Sequence, residues 1–313
     1  MNTTISTNIS HTEPRLLAMT FRSMKSTPPG LALGVVYLIV TILAVIGNTI
    51  VLLGFIVATS LHRKKSVFVV SLTCADFLTA FFAFLIFMDI PKSASLQVTN
   101  YCIFVTSVLS LTAIGIERYI AIVASPLVYA SNVMTKSMLI VLILLWFVPL
   151  LVWILIFKFF HMDNSMVMDL ITGIFVILLL FLNTSVYLAI YRYIKHQEKE
   201  LRAFGRNFNR VKRTAHILKV FAIITGIMWM CWFPSFVLIV ISFCVEQMRN
   251  DVWMYCTICV RILLRVNSMA NPPIYWWQIP EYRKALREIR RNVGLIPTDI
   301  SLSDLAQYLP TPV

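Results

Sequence analysis

An aspartate in the middle of an apolar run offers this chain its first candidate chemistry. Asp76 closes the stretch Leu72-Thr73-Cys74-Ala75-Asp76, and a charge so placed is costly unless it is paired or wet. Other apolar runs carry Asn48, Ser107, Asn267, Ser268 and Asn271. Brought to one depth, these groups form a hydrated pocket able to hold a cation beside the Asp76 carboxylate. A second pair, Arg261 and Arg265, is four residues apart and shares one helix face. Two readings stand side by side: a clamp for a carboxylate, phosphate or lipid headgroup, or internal pairing with Asp89. One aspartate cannot neutralise both arginines. The third signal is Asn271-Pro272-Pro273-Ile274-Tyr275, because prolines disturb backbone hydrogen bonding that lipid cannot replace. No nucleophile–base pair, metal-ligand spacing or phosphate loop accompanies these groups, so nothing supports an enzyme.

Membrane-spanning helices must position them. Hydrophobic residues make up 59% of the 313 and charged ones 13%, with a mean hydropathy of +0.81, too oily for an ordinary soluble domain. Apolar runs recur at about 31–59, 66–91, 94–124, 137–160, 167–192, 214–244 and 252–277, each meeting the roughly 20 residues a spanning helix needs. The region before Pro28 is polar, so no cleavable signal peptide is expected. The net charge of +13 does not point to nucleic acid, because Lys and Arg gather in alternate connections, in the 192–219 stretch and after the last span. That bias predicts an outer N-terminus and an inner C-terminus, with inner-leaflet lipids as contacts of the basic face. The glycosylation sequons at Asn2 and Asn8 agree with this orientation. Cys244 and Cys256 bracket the polar stretch 246–251 and are candidates for a disulfide closing an outer loop; the alternative is two unpaired thiols.

Six ordered motifs, Gly47-Asn48, Leu72–Asp76, Glu117-Arg118-Tyr119, Trp146, Cys231-Trp232-Phe233-Pro234 and Asn271–Tyr275, with Tyr187 and Tyr282 fitting as well, resemble the signatures of rhodopsin-like (class A) G-protein-coupled receptors. The resemblance runs across residues 30–292. It implies an all-α membrane protein, a seven-transmembrane helix bundle with a short interfacial eighth helix. The expected parts are an extracellular tail (1–29), the receptor domain (30–279), an amphipathic helix (280–292) and a cytoplasmic tail (293–313). It also implies a plasma-membrane receptor that binds an extracellular ligand and activates heterotrimeric G proteins, with arrestin a further partner. Asp76, Ser107, Asn267, Ser268 and Asn271 match an allosteric sodium pocket; no other cofactor is implied. Trp232, beside the Pro234 kink, matches the side chain that senses ligand. Arg118 bonds Glu117 at rest and turns toward Tyr187 when the sixth helix swings out, while Tyr275 rotates inward. Leu127, after Pro126, matches the second inner loop one residue out of the usual register.

Departures from the pattern narrow the ligand. Asn100 stands where amine receptors carry Asp, and Arg265 where opsins carry the retinal-linking Lys. Ser93 replaces the usual disulfide cysteine, and Leu179 the fifth-helix proline. These features resemble the melanocortin, lysolipid, cannabinoid and adenosine branch, yet Ile86 and Gln97 replace two acids that melanocortin receptors use. The expected ligand is anionic or lipid-like, met by Arg261, Arg265, Asp89, Asn100 and Trp232. Thr214 stands where the family often has an acid that restrains the Arg118 equivalent, which predicts raised ligand-independent activity. Two other functions remain open: a non-signalling decoy or partner receptor, and an ion channel or transporter using Asp76.

Overall fold

The computed structural model describes residues 27–57, 67–88, 94–124, 132–160, 165–203, 209–245 and 251–278, together with 282–284 and 287. Seven long helices account for these stretches: α1 (Pro28–Val57), α2 (Val67–Phe87), α3 (Ala94–Tyr119), α4 (Asn132–Phe160), α5 (Ser165–Ala203), α6 (Asn209–Cys244) and α7 (Asp251–Gln278). A π-helical turn, Ile120–Ala124, continues α3. All seven contain a stretch long and apolar enough to cross a membrane. Their outward faces carry large apolar side chains such as Phe147 (65% exposed) and Met230 (74%), a surface suited to lipid.

The arrangement follows from which helices can bury a face. In α3, 67% of the membrane window is buried, against 17% in α4, so α3 is the axis and α4 a peripheral stave. α3 packs on α2, α4 and α5; α7 packs on α1, α2 and α6; α5 and α6 pack on each other. Polar side chains tie these neighbours together. Trp146 Nε1 of α4 donates to Ser71 Oγ of α2 at 3.0 Å, and Ser71 shares a 2.8 Å bond with Ser110 of α3. Asn183 Nδ2 of α5 donates to Thr112 Oγ1 of α3 at 2.9 Å. Asn183 is fully buried, so its sequon pattern cannot carry a glycan.

The helix prolines explain several of the intramembrane polar residues. A proline has no N–H for the carbonyl four residues earlier, and in lipid that carbonyl needs another donor. Pro149 frees Leu145 O, which at 3.1 Å shares the Thr106 Oγ1 proton of α3 with Cys102 O at 2.8 Å. Pro272 frees Ser268 O, which accepts Asn48 Nδ2 of α1 at 3.1 Å. Gly47 permits that approach, since a Cβ there would meet the Pro272 ring at 3.2 Å. Pro234 differs. The Met230 carbonyl it frees has no side-chain donor among the described residues.

Asn48→Leu is therefore expected to strand the Ser268 carbonyl, at a cost of about 1–3 kcal/mol. The melting temperature of the purified protein should fall by roughly 5 °C. In a Pro272→Ala background the helix supplies its own N–H, and the penalty should shrink. An equal penalty in both backgrounds would show that Asn48 acts elsewhere.

Two sequence readings are corrected. The basic 192–219 stretch is mostly helix, because α5 continues to Ala203 and α6 begins at Asn209. Its Lys, Arg, Glu and Gln residues are good helix formers. Cys244 and Cys256 are separate free, exposed thiols rather than a disulfide. Cys244 is the last residue of α6 and Cys256 lies in the second turn of α7, each exposed. Of the expected interfacial helix, 282–284 and 287 are described, all helical, with Arg287 Nε donating to Arg283 O at 3.4 Å. Asn2, Asn8, Asp89, Ser93 and Leu127 lie outside the described residues.

Candidate functional site

Functional side chains collect at three depths of the bundle. The middle one is built around Asp76, fully buried on α2. Its Oδ1 accepts Ser107 Oγ of α3 at 2.7 Å and Ser268 Oγ of α7 at 3.2 Å, and its Oδ2 accepts Asn271 Nδ2 at 2.6 Å. Three helices are thereby pinned to one carboxylate. Four of the five residues expected here converge; Asn267 is buried nearby in sequence but makes no hydrogen bond to Asp76. The oxygens of Asp76, Ser107 and Ser268 suit a small hard cation. Asn271 instead presents its amide nitrogen to the carboxylate.

Toward the N-terminal end of α7 lie the two arginines. Arg265 Nη1 donates to the backbone carbonyl of Thr79 on α2 at 2.9 Å, within electrostatic range of both Asp76 and Arg261. Arg261 lies in range of Asp169, near the start of α5, whose Oδ1 accepts Tyr101 Oη of α3 at 2.7 Å. Tyr101 also stacks on Trp153 of α4, with ring centroids 5.3 Å apart. The buried Nε atoms of Arg261 and Arg265 have no hydrogen-bond partner. Two cations, the Asp76 carboxylate, a tyrosine-held Asp169 and unpaired Nε donors meet here. An anionic group can engage what Asp169 does not.

Sequence reading missed Asp169, Tyr101 and Thr79. An acid near the start of an otherwise apolar span was a usable signal for Asp169. Thr79 acts through its backbone carbonyl, which its residue type does not advertise. Asn100, next to Tyr101 on α3, is half-buried. One turn further, Phe104 packs on Trp232 with ring centroids 4.3 Å apart. Trp232 is 2% exposed and its Nε1 has no partner, so α6 meets α3 through an aromatic contact just beyond the unsupported Pro234.

At the opposite end of the bundle, Arg118 and Glu117 form a loose pair at 3.9 Å. Tyr187 of α5 is buried within electrostatic range of both. Tyr119 closes α3 and the π-helical turn follows directly; such turns often mark functional positions. Tyr275 is fully buried and stacks on Tyr282 at 5.4 Å, and Tyr282 meets Phe55 of α1 edge-on at 5.7 Å. Thr214 lies on α6, but its side chain is outside the described set.

Known proteins resemble this chain in sequence. The family described as 7 transmembrane receptor (rhodopsin family) matches residues 47–275. The adenosine receptor A2a of Canis lupus familiaris is 28% identical over 298 residues, covering 82% of this chain and 71% of the relative. The adenosine receptor A2b of Gallus gallus is 27% identical over 308 residues, covering 85% and 89%. The lysophosphatidic acid receptor 1 of Mus musculus is 23% identical over 279 residues, covering 80% and 73%.

Proposed function

Because this chain belongs to the rhodopsin family of seven-transmembrane receptors, we propose that it carries an extracellular chemical signal across the plasma membrane to heterotrimeric G proteins. Its relatives are receptors rather than enzymes, and as a multi-pass membrane protein it has the required architecture. The observation that carries the reading is the end formed by Glu117, Arg118 and Tyr187, where a weak pair at 3.9 Å holds an arginine beside a buried tyrosine. Release of Arg118 toward Tyr187 as α6 moves outward opens a docking cleft for the G protein. The bias of Lys and Arg toward that end supports a cytoplasmic location for it. An agonist need only bind the open arrangement better by a few kcal/mol. Cells carrying sensors for each G-protein class provide the test: a signal above mock transfection supports coupling. Silence in every class at full surface expression, with and without the candidate agonists below, favours the decoy reading.

The ligand we infer carries an anionic group and meets Arg261 and Arg265. The buried Nε donors of both guanidinium groups, left without hydrogen-bond partners, support it, as does a relative named for lysophosphatidic acid. In the same sensor cells, lysophosphatidic acid and adenosine are the two probes. The expected result is a response to the lipid acid that Arg261→Ala shifts to at least ~30-fold higher concentration, the scale of a lost charged hydrogen bond of about 2 kcal/mol. A response to adenosine alone, unaltered by Arg261→Ala, would remove the clamp.

A small cation, Na+ in the family pattern, fits the oxygens around Asp76 and would supply a positive charge that holds α2, α3 and α7 together. Arg265 already contributes part of that charge, so the cation effect in this chain is weaker than an isolated carboxylate would give.

A further inference from the structure

A cavity of about 660 Å³ lies between α5 and α6 and shares the Tyr187 side chain with the Arg118 site. Its floor is buried Ile194 and Leu218, while Leu188 (49% exposed) and Tyr191 (52%) stand open at its rim. Gly226 leaves it unfilled, since a Cβ there would meet nothing within 4 Å. The volume falls within the roughly 300–1,000 Å³ of small-molecule sites.

Polarity is ordered along the groove. On α5 one stripe runs Thr184, Leu188, Tyr191, Lys195; on α6 the facing stripe runs Trp229, Gly226, Ala222, Lys219. At one end Trp229 Nε1 donates to Thr184 Oγ1 at 3.0 Å, which closes that end with satisfied groups. At the other end both stripes finish in an exposed lysine. Lys195 Nζ lies 5.9 Å from the centroid of the Tyr191 ring, so it folds back over the groove rather than away. Glu198 also lines this end; Arg192 and Lys199, both exposed on α5, keep the local charge positive.

We propose that this groove binds one anionic phospholipid of the leaflet at the basic end of the bundle, its phosphate on Lys195 and Lys219 and an acyl chain running to Trp229. A phospholipid has the same order of parts, charge then apolar tail, and anionic lipids favour basic surfaces at the cytoplasmic leaflet. Occupancy places the chain directly between the two helices whose separation the receptor reading requires to change. That leaflet assignment rests on the proposed orientation, but binding itself does not.

The test uses the full chain in nanodiscs of phosphatidylcholine containing brominated phosphatidylglycerol or brominated phosphatidylcholine. Both leaflets are then alike, so a wrong orientation cannot cause failure. Bromine quenches nearby indoles, and subtracting Trp229→Phe isolates Trp229 from the other tryptophans. The expected result is at least ~3-fold stronger Trp229 quenching by the anionic lipid. Lys195→Ala/Lys219→Ala should abolish that preference, and Gly226→Leu should remove quenching by either lipid. Equal quenching by both lipids in the wild type overturns the proposal, as does a preference that survives loss of both lysines. Shielding from both lipids in a chain that migrates as a dimer would assign the groove to a second copy and also overturn it. Should Trp229→Phe fail to fold, retained phosphatidylglycerol measured by native mass spectrometry on the wild type and Gly226→Leu decides the same question. Loss of retention on filling the groove is expected; unchanged retention overturns it.

Discussion

Asp76→Leu is expected to remove the protein from the cell surface, with a drop of at least ~10-fold, whereas Asp76→Asn should stay within ~2-fold of wild type. The difference lies in what each change leaves behind. Leucine strips the acceptor from Ser107, Ser268 and Asn271 at once and leaves Arg265 without a nearby carboxylate. Removing one partner from a buried charged network costs about 3–5 kcal/mol, a large part of a total stability near 5–15 kcal/mol. Asparagine keeps the volume and one acceptor oxygen, so part of the network re-forms. Surface labelling of a tagged chain, with melting temperature of the purified protein, measures both. Normal surface levels and melting for Asp76→Leu would mean the cluster does not hold the bundle together. The same variants test the cation: wild type should melt higher in NaCl than in choline chloride, and Asp76→Asn should lose that difference.

Arg118→Ala should reduce ligand-independent signalling to the mock level at matched surface expression. The Glu117 restraint on Arg118 is weak. Its Glu117 contact is long, at 3.9 Å, with the arginine side chain 16% exposed, and a partly solvated pair of that kind is worth about 0–1 kcal/mol. Thr214 offers no second carboxylate from α6. Since about 1.4 kcal/mol changes a population ratio tenfold, a missing acid restraint leaves a basal signal several-fold above mock. A wild-type signal equal to mock would show that other contacts hold the resting state. A mutant that signals like wild type would rule out Arg118 as the coupling residue.

The spans were legible because lipid imposes one composition over a fixed length, and each polar residue inside stood out against it. Asp76, Ser107, Ser268 and Asn271 could be grouped before any coordinates, since little else explains polar groups at matching depth. Why Asn48 sits opposite Pro272 was not legible, because the link runs through a backbone carbonyl that only packing brings into reach. The α5–α6 groove was equally hidden. Its residues are ordinary alone, and at Gly226 the space is open because no side chain is there to fill it. Of the two readings for Cys244 and Cys256 the structure has the unpaired thiols; nearness across a short connection does not by itself make a bridge. The ends of α5 and α6 were misjudged because charge was read as loop, although Lys, Arg and Glu extend helices well in water.

The unequal support of the three proline-bearing helices has a mechanical consequence. Pro149 and Pro272 are braced by side chains of neighbouring helices, and Pro234 has no such brace among the described residues. At Pro234 α6 then has a compliant joint, and the arm from Pro234 back to Asn209 is about 37 Å long at 1.5 Å per residue. A change of about 20° at that joint, the size of an ordinary helix kink, carries the far end through about 13 Å. The bundle is geared: a displacement of about an ångström against Trp232 becomes a cleft wide enough to admit another protein.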